Sequence, residues 1–248
     1  MERFGLIGFP LEHSFSKRYF TEKFEKEELK DHKFDLFPIP TIEEFPQLIS
    51  SEKDLKGLAV TIPYKESVIP YLSSLSRHTR EIGAVNCIKI SGDSLVGYNT
   101  DATGFERSLS PLLRAHHTQA LVLGTGGASK AVQYSLQKLG IPFLLVTRKE
   151  NAGHGFINYH DINKDIISLY PVIINCTPVG MYPNELTAPA IPYAMLDKRN
   201  LLYDLVYKPS QTKFLSMGAK SGAIVKNGYE MLLIQAEENF KIWKTPVL

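Results

Sequence analysis

The chain has 248 residues, of which 44% are hydrophobic, and its 28 basic and 26 acidic side chains leave a formal net charge of +2. This length suits one large domain or two smaller ones with a proper apolar core. The balanced charge argues against a nucleic-acid partner, and no apolar run approaches the length of a membrane span.

The two cysteines, Cys87 and Cys176, lie in apolar stretches and show no Cys/His spacing of a metal site. Free, buried thiols fit a reducing compartment. We therefore expect a cytoplasmic protein without a metal centre.

Two serines follow the first predicted strand. The strand covers residues 3–9 and an amphipathic helix is predicted over 17–29, with Ser14 and Ser16 between them. One serine is expected to cap the helix by accepting hydrogen bonds from its first N–H groups. The pair could equally hold the carboxylate of a small substrate, and the local sequence leaves both interpretations open.

Two further strands, over residues 57–63 and 83–90, carry polar residues of interest. Lys65 follows the first of them, which is almost entirely apolar and is expected to be buried on both faces. A lysine at the carboxyl end of such a strand lies where open α/β sheets bind ligands, although it could simply open an exposed helix over 65–72. Asn86 lies within the second strand and must be hydrogen-bonded there, to a neighbouring turn or to a ligand hydroxyl.

Asp101 marks the point where the chain leaves a first α/β lobe, residues 1–100, and enters a helix predicted over 103–113. A carboxylate at this position most simply caps that helix. A second lobe, residues 101–222, is expected because the pattern of strands and helices starts again.

A glycine turn is the most informative feature of the second lobe. An apolar strand over 120–123 precedes it, a helix over 131–139 follows, and a strand over 143–146 completes the unit. This order is typical of a dinucleotide site, since glycines let the backbone approach a pyrophosphate and the helix start offers unpaired N–H groups. Ser129 takes the third glycine position of G-x-G-x-x-G and is small enough for close packing. The turn consists of Gly124, Thr125, Gly126, Gly127 and Ala128.

The end of the second strand of this unit indicates the cofactor. NAD sites usually place an acidic residue here to bind the ribose 2′-hydroxyl. The chain has Thr147 and Arg148 instead. Arginine can pair bidentately with a 2′-phosphate, so the sequence predicts NADP, with a solvated basic turn as the alternative.

The remaining elements are strands over 172–175 and 201–206 and a strongly apolar closing helix over 229–243. Gln235 lies among the apolar residues of that helix and is either a satisfied core amide or a ligand contact. Together the elements predict an α/β fold in two lobes, the second of Rossmann type.

Eight short motifs along almost the whole chain are distinctive in combination, and they read, in order, GFPLEHSFS (8–16), GLAVTIPYK (57–65), GAVNCI (83–88), GYNTDATGF (97–105), VLGTGGASKA (122–131), NCTPVGM (175–181), DLVYKP (204–209) and NGYEMLLIQA (227–236). In this set the chain resembles the shikimate dehydrogenase family. The resemblance implies NADP-dependent, reversible reduction of 3-dehydroshikimate to shikimate, on the route to chorismate and the aromatic amino acids. It also implies an N-terminal substrate domain (1–100), a Rossmann-type NADP-binding domain (101–222) and a final segment (223–248) that packs back on the first domain.

The same resemblance implies roles for individual residues. Lys65 and Asp101 would form the catalytic pair. Substrate contacts, the first two of them with the carboxylate, are implied for Ser14, Ser16, Thr61, Asn86, Tyr207 and Gln235. Cofactor contacts are implied for the glycine turn (pyrophosphate), for Thr147 and Arg148 (2′-phosphate), and for Leu205 and Gly228 (nicotinamide end).

Other interpretations stay open. A quinate dehydrogenase using NAD, a non-catalytic NADP-binding regulator and a methylenetetrahydrofolate dehydrogenase share parts of the pattern, although the serine pair and the Asn-Thr-Asp motif count against the last. The expected partner is a small-molecule substrate, and the chain is expected to be a monomer or a homodimer. Many relatives carry an acidic residue where Arg77 stands, so no cofactor contact is assigned to it.

Overall fold

The computed structural model describes residues 1–12, 14–150 and 153–245. His13 of the first motif, residues 151–152 and the last three residues of the segment 223–248 lie outside the described part. The chain divides into two compact units: Met1–Thr100 together with the chain from Gln235 onwards, and Asp101–Ile234.

Within its described residues, the first unit is built on one mixed sheet of six strands. They are β1 (Glu2–Gly8), β2 (His32–Pro38), β3 (Leu55–Val60), β4 (Ser74–Leu75), β5 (Cys87–Ser91) and β6 (Ser94–Tyr98). Their order is β2-β1-β3-β5-β6-β4, with β1 parallel to β2 and β3, and β5 antiparallel to β3 and β6. Because β5 runs against β3, its start lies at the edge where β1 and β3 end.

Within the described residues, three α-helices connect strands of this sheet: α1 (Phe15–Lys26), α2 (Phe45–Ser51) and α3 (Arg77–Ile82). The helix predicted over 65–72 is not formed. Residues 65–68 are turns and a short 3₁₀ helix covers Ile69–Tyr71. Pro70 explains this difference, because it has no N–H to donate to the carbonyl four residues earlier.

The second unit, within its described residues, contains a parallel sheet of six strands. They are β7 (Ala120–Leu123), β8 (Phe143–Thr147), β9 (Phe156–Asn158), β10 (Val172–Asn175), β11 (Leu201–Asp204) and β12 (Ile224–Asn227). The order is β12-β11-β10-β7-β8-β9, and every pair is parallel. Counted from β7 this is 3-2-1-4-5-6, the Rossmann order, with its switch point between β7 and β10.

Both faces of the second sheet are covered, which explains why its strands are apolar throughout. Ala120 and Val122 belong to one core cluster, whereas Leu121 and Leu123 belong to another. Alternate side chains of one strand point to opposite faces, so a continuous apolar run fills two cores. The helices of this unit are α4 (Asp101–Leu109), α5 (Gly127–Lys138), α6 (Lys164–Leu169) and α7 (Lys213–Lys220).

The closing helix α8 covers Tyr229–Lys244, and the boundary between the units falls inside it. The expectation that the whole segment 223–248 packs on the first domain is therefore corrected. Strand β12 pairs with β11 and Met231 packs in a core cluster of the second unit, so residues 223–234 belong there. From Gln235 the helix belongs to the first unit, where Trp243 Nε1 donates to the Ile88 carbonyl (3.0 Å).

Within the described residues, no helix is both long enough and apolar enough to span a membrane.

Candidate active site

Lys65 and Asn86 are tied together at the edge where β3 ends and β5 begins. The N–H of Val60 donates to the Asn86 carbonyl (2.8 Å), and the N–H of Val85 donates to the Lys65 carbonyl (2.6 Å). Lys65 itself is half-buried and lies in the turn after β3. The sheet therefore holds a lysine and an amide, far apart in sequence, at one edge.

The end of β1 lies against the residue that follows β3. Thr61 N–H donates to the Ile7 carbonyl (3.0 Å), and a Cβ added at Gly8 would overlap the Thr61 side chain. Glycine at position 8 thus allows the close approach of the two strand ends. The loop that leaves β1 leads directly to the serine pair, so Thr61 and the serines extend from adjacent strands.

Ser14 occupies the N-cap position of α1, but its side chain makes no capping hydrogen bond. Its Oγ is buried and has no hydrogen-bond partner among the described residues. A buried hydroxyl without a hydrogen-bond partner costs free energy. Ser16 is half-buried in the first turn of the same helix. The capping interpretation therefore does not account for Ser14, whereas an anionic ligand would satisfy it.

A buried polar network lies beside this edge and includes two of the predicted residues. Asn86 Nδ2 donates to Thr100 Oγ1 (2.9 Å) and to Gln235 Oε1 (3.3 Å), and Thr100 N–H donates to Asn86 Oδ1 (2.7 Å). Asn239, one helical turn after Gln235, completes the network. The predicted substrate residues Asn86 and Gln235 are thus brought together, from positions 149 residues apart.

Asp101 belongs to the second unit, where it is the first residue of α4 and is almost fully buried. A carboxylate in the first turn favours the helix electrostatically. The helix begins two residues earlier than the sequence predicts, so Asp101 lies inside it rather than before it.

The glycine turn has the geometry that a bound anion requires. Gly124 has φ +100°, and a Cβ there would lie 2.8 Å from Thr177 Cγ2, so only glycine suits this position. Gly126 is the N-cap of the twelve-residue helix α5, and an added Cβ would meet no atom within 4 Å. The open space before a helix N-terminus fits a pyrophosphate group. Ser129 is fully buried and accepts from Gln133 Nε2 (3.0 Å), in place of the third glycine.

A cavity of about 380 Å³ adjoins the end of β8. The exposed Arg148 lines it together with Thr147, whose hydroxyl accepts from the Lys149 N–H (3.1 Å). The arginine is thus presented next to a cavity of ligand size, as a 2′-phosphate contact requires. The other lining residues are Glu150, Asn158, Tyr159, His160 and Ala190.

Leu205 and Gly228 approach each other closely in the second unit. A Cβ at Gly228 would overlap the Leu205 carbonyl, and the Gly228 N–H donates to the carbonyl of Val206 (3.3 Å). Tyr207 follows two residues later and is half-buried. The structure therefore brings together the two residues to which the resemblance assigns the nicotinamide end.

Asp204, which has no assigned role in the sequence-based predictions, organises this loop. It is fully buried, and it accepts hydrogen bonds from Asn175 Nδ2 (2.9 Å), Val206 N–H (3.0 Å) and Thr212 Oγ1 (2.6 Å). Burial raises its pKa from 3.8 to about 6, and the three hydrogen bonds oppose the rise. The signal in the sequence that could have identified Asp204 was its position in the DLVYKP motif. Burial likewise raises the pKa of the Cys176 thiol, which makes it a poor nucleophile.

Comparisons with known proteins agree with this arrangement. A model of the shikimate dehydrogenase substrate binding domain matches residues 6–88. A shikimate dehydrogenase (NADP(+)) of Carboxydothermus hydrogenoformans is 36% identical over 255 residues, which cover 96% of this chain and 90% of that protein.

Solved structures extend the similarity to the fold. The shikimate dehydrogenase of Aquifex aeolicus is 33% identical, with a TM-score of 0.87 over 99% of this chain and 94% of that one. Shikimate 5-dehydrogenase of Thermus thermophilus, in complex with NADP(H) and shikimate, is 27% identical, with a TM-score of 0.86 over 98% and 94% of the two chains. Because the similarity in sequence and in fold runs over nearly its whole length, the chain belongs to the shikimate dehydrogenase family.

Proposed function

We propose that the protein catalyses the reversible, NADP-dependent reduction of 3-dehydroshikimate to shikimate. The observation that carries this proposal is the buried hydroxyl of Ser14, which has no hydrogen-bond partner among the described residues and follows the strand next to β3. A site of this kind suits a small acid that also carries hydroxyl groups. The relatives named as NADP-dependent shikimate dehydrogenases support the same reaction.

The first unit supplies most of the proposed substrate contacts. Ser14 and Ser16 donate to the carboxylate, which satisfies the buried Oγ of Ser14. The remaining contacts are with the ring hydroxyls and are assigned to Thr61, Asn86, Gln235 and Tyr207. Of these residues, Tyr207 belongs to the second unit. Fixing the ring through both its acid and its hydroxyl groups orients the ketone for reaction.

The second unit supplies the proposed NADP contacts. The open space at Gly126 and the helix start behind it would take the pyrophosphate, and Arg148, with Thr147, would take the 2′-phosphate. Leu205 and Gly228 would lie at the nicotinamide end. When bound, NADPH supplies the hydride that reduces the ketone carbon. The other residues of the glycine turn assigned to the pyrophosphate are Gly124, Thr125, Gly127 and Ala128.

Reduction also requires a proton at the oxygen that becomes a hydroxyl. We assign this proton transfer to Lys65 and Asp101, with the lysine ammonium as the donor during reduction and the carboxylate as the group that orients it. A positioned acid contributes roughly 10²–10⁴-fold to such a step. In the reverse direction the same pair accepts the proton.

The domain roles follow from this assignment. The first unit binds the substrate and the second binds NADP. The proposed location is the reducing cytoplasm, where Cys87 and Cys176 stay as free thiols.

One assay tests the proposal directly. Purified protein is mixed with shikimate and NADP, and formation of NADPH is followed at its absorbance band. We expect turnover that falls strongly when NAD replaces NADP or quinate replaces shikimate. Faster turnover with quinate and NAD would contradict the assignment, and so would an absence of turnover in a folded, NADP-binding protein.

A further inference from the structure

Asn239 lies on α8 and is 1% exposed, yet none of the roles above uses its amide. Its Oδ1 accepts a hydrogen bond from Thr100 Oγ1 (2.6 Å), and its Nδ2 donates to Gln235 Oε1 (3.3 Å). A buried amide costs free energy unless it is hydrogen-bonded, and here both ends are used. Both hydrogen bonds also restrict how the neighbouring amide side chains can be oriented.

The first of them supports the direction of the Asn86 amide, which the backbone N–H of Thr100 sets. A threonine hydroxyl has one hydrogen, and the shortest contact, to Asn239 Oδ1, takes it. Thr100 Oγ1 must then accept from Asn86 Nδ2 (2.9 Å), while the Thr100 N–H donates to Asn86 Oδ1 (2.7 Å). The nitrogen and the oxygen of Asn86 are thereby distinguished.

The second sets the direction of the Gln235 amide. Gln235 Oε1 receives hydrogen bonds from Asn239 Nδ2 and from Asn86 Nδ2, both at 3.3 Å. An amide oxygen has two lone pairs, so both are used by these donors. Turning the Gln235 amide over would place its NH₂ group against two other NH₂ groups. The Nε2 of Gln235 is therefore held on the opposite branch of the amide.

We propose that Asn239 is a positioning residue that fixes the hydrogen-bond direction of Gln235 and reinforces the direction of Asn86 through the Thr100 hydroxyl. In this orientation Nε2 is the donor end of the Gln235 amide and Oδ1 is the acceptor end of the Asn86 amide, so both ends have a defined chemistry toward the hydroxyl groups of the substrate. The inference rests on the proposed function, in which these two side chains contact the substrate. Asn239 acts through them and touches no reacting atom.

Asn239→Asp tests the direction of the hydrogen bonds rather than the shape of the residue. Ionised, the introduced carboxyl can only accept, so it repels Gln235 Oε1 and turns that amide over. Protonated, it donates to Gln235 Oε1 through its O–H and accepts from Thr100 through its C=O, which restores the native pattern. Burial favours the protonated form, so the change falls within an accessible pH range.

The expected result is a pH-dependent KM for shikimate. In Asn239→Asp the KM should be roughly ten times the wild-type value at about pH 9, because one lost hydrogen bond is worth about a factor of ten. At about pH 6 the KM of the variant should approach the wild-type value. The KM for NADP should stay within roughly twofold at both pH values. The apolar cluster that includes this part of α8 contains three titratable side chains, Tyr19, Cys87 and Tyr98. Dividing the KM of the variant by the wild-type KM at each pH removes their contribution.

Two further variants keep the inference falsifiable. Asn239→Ala should raise the KM for shikimate at every pH, without the recovery at low pH, and it replaces the first variant if that one fails to fold. Asn200→Asp is the matched control, since Asn200 is also buried but lies in the second unit, where its Oδ1 accepts from the Asp197 N–H (2.8 Å). It should leave the KM for shikimate unchanged.

The outcomes separate the two proposals. Wild-type turnover combined with parallel pH profiles for the wild type and Asn239→Asp would overturn the role of Asn239 alone. Isothermal titration of shikimate into the wild type supplies a reading that does not depend on turnover. If shikimate neither binds nor reacts, the proposed function and this inference both fall.

Discussion

Asn175 and Asp204 face each other across the paired strands β10 and β11, where Asn175 Nδ2 donates to Asp204 Oδ1 over 2.9 Å. Asn175 Oδ1 accepts from the N–H (3.0 Å) and the hydroxyl (2.6 Å) of Thr177, which begins the turn after β10. Asp204 is bonded in the same way to the loop that carries Leu205. One buried carboxylate therefore fixes two loops at the carboxyl ends of neighbouring strands, where Rossmann sheets bind their ligands.

Asp204 should give the protein a distinctive pH dependence of stability. Its pKa of about 6 lies above the ordinary 3.8, so the folded protein holds this proton more tightly than the unfolded chain does. The free energy of unfolding therefore falls as pH rises from about 4 to about 6, by an amount on the order of 3 kcal/mol, and then levels off. Melting temperatures across this range should show the fall in the wild type and lose it in Asp204→Asn. Asp197→Asn, at an exposed aspartate of the same unit, is the control, and identical curves for all three proteins would contradict the prediction.

Lys65→Ala should abolish most of the turnover while leaving the protein folded. Loss of the proposed proton donor predicts a decrease in kcat of roughly 10²–10⁴-fold, with NADP binding retained, since the NADP contacts are assigned to the other unit. Steady-state kinetics and NADP titration measure the two effects separately. Lys56→Ala removes an exposed lysine from β3 and should change neither. Near-wild-type kcat in Lys65→Ala would remove Lys65 from the mechanism.

Ser14→Ala should separate binding from stability. Because the hydroxyl makes no capping bond and is buried with no hydrogen-bond partner in the part of the chain that the structure describes, its removal should leave the melting temperature nearly unchanged or slightly raised. The KM for shikimate should rise roughly tenfold or more, since a hydrogen bond to a charged group is lost. Asn163→Ala is the opposite control: Asn163 caps α6 by accepting from the Ile166 N–H (3.0 Å), so its loss should cost about 1 kcal/mol of stability without changing the KM. A lower melting temperature with unchanged KM in Ser14→Ala would favour the capping interpretation.

Arg148→Ala should weaken the preference for NADP over NAD. Arg148 lines the cavity at the end of β8, and loss of a charge-assisted contact with the 2′-phosphate predicts a rise of roughly tenfold to hundredfold in the KM for NADP. The KM for NAD should change little, because NAD has no 2′-phosphate. Arg199→Ala, at an exposed arginine of the same unit, should leave both values unchanged. An unchanged KM for NADP in Arg148→Ala refutes the assignment.

Two glycines of the turn should respond differently to alanine. At Gly126 the added methyl meets no atom of the protein within 4 Å, so stability should be preserved while the methyl occupies the space assigned to the pyrophosphate and raises the KM for NADP. At Gly124 the φ of +100° and the contact with Thr177 make alanine strained, so the melting temperature should fall. Differential scanning calorimetry together with NADP titration checks both. Equal loss of stability in the two variants would show that the space at Gly126 is not open.

Features that depend on neighbours along the chain could be predicted from the sequence. The apolar run of β7, the glycine turn, the helix α5 and the strand β8 appear in the order predicted, because strand and helix periods and the freedom of glycine are local properties. The two-lobed α/β fold and the family are also confirmed. The prediction of a helix over 65–72 is wrong, although Pro70, which explains why this helix does not form, was visible in the sequence.

Only the tertiary structure determined which residues distant in sequence are paired with each other. The bond between Asn175 and Asp204 follows from the register of β10 on β11, and no local pattern reports which residues of two parallel strands lie opposite each other. The same holds for Asn86 and Asn239, which reach one network only because the chain from Gln235 onwards packs with the first unit. Composition and periodicity state which side chains face a core, but the partner that satisfies a buried polar group is set by packing, and that information exists only in the folded chain.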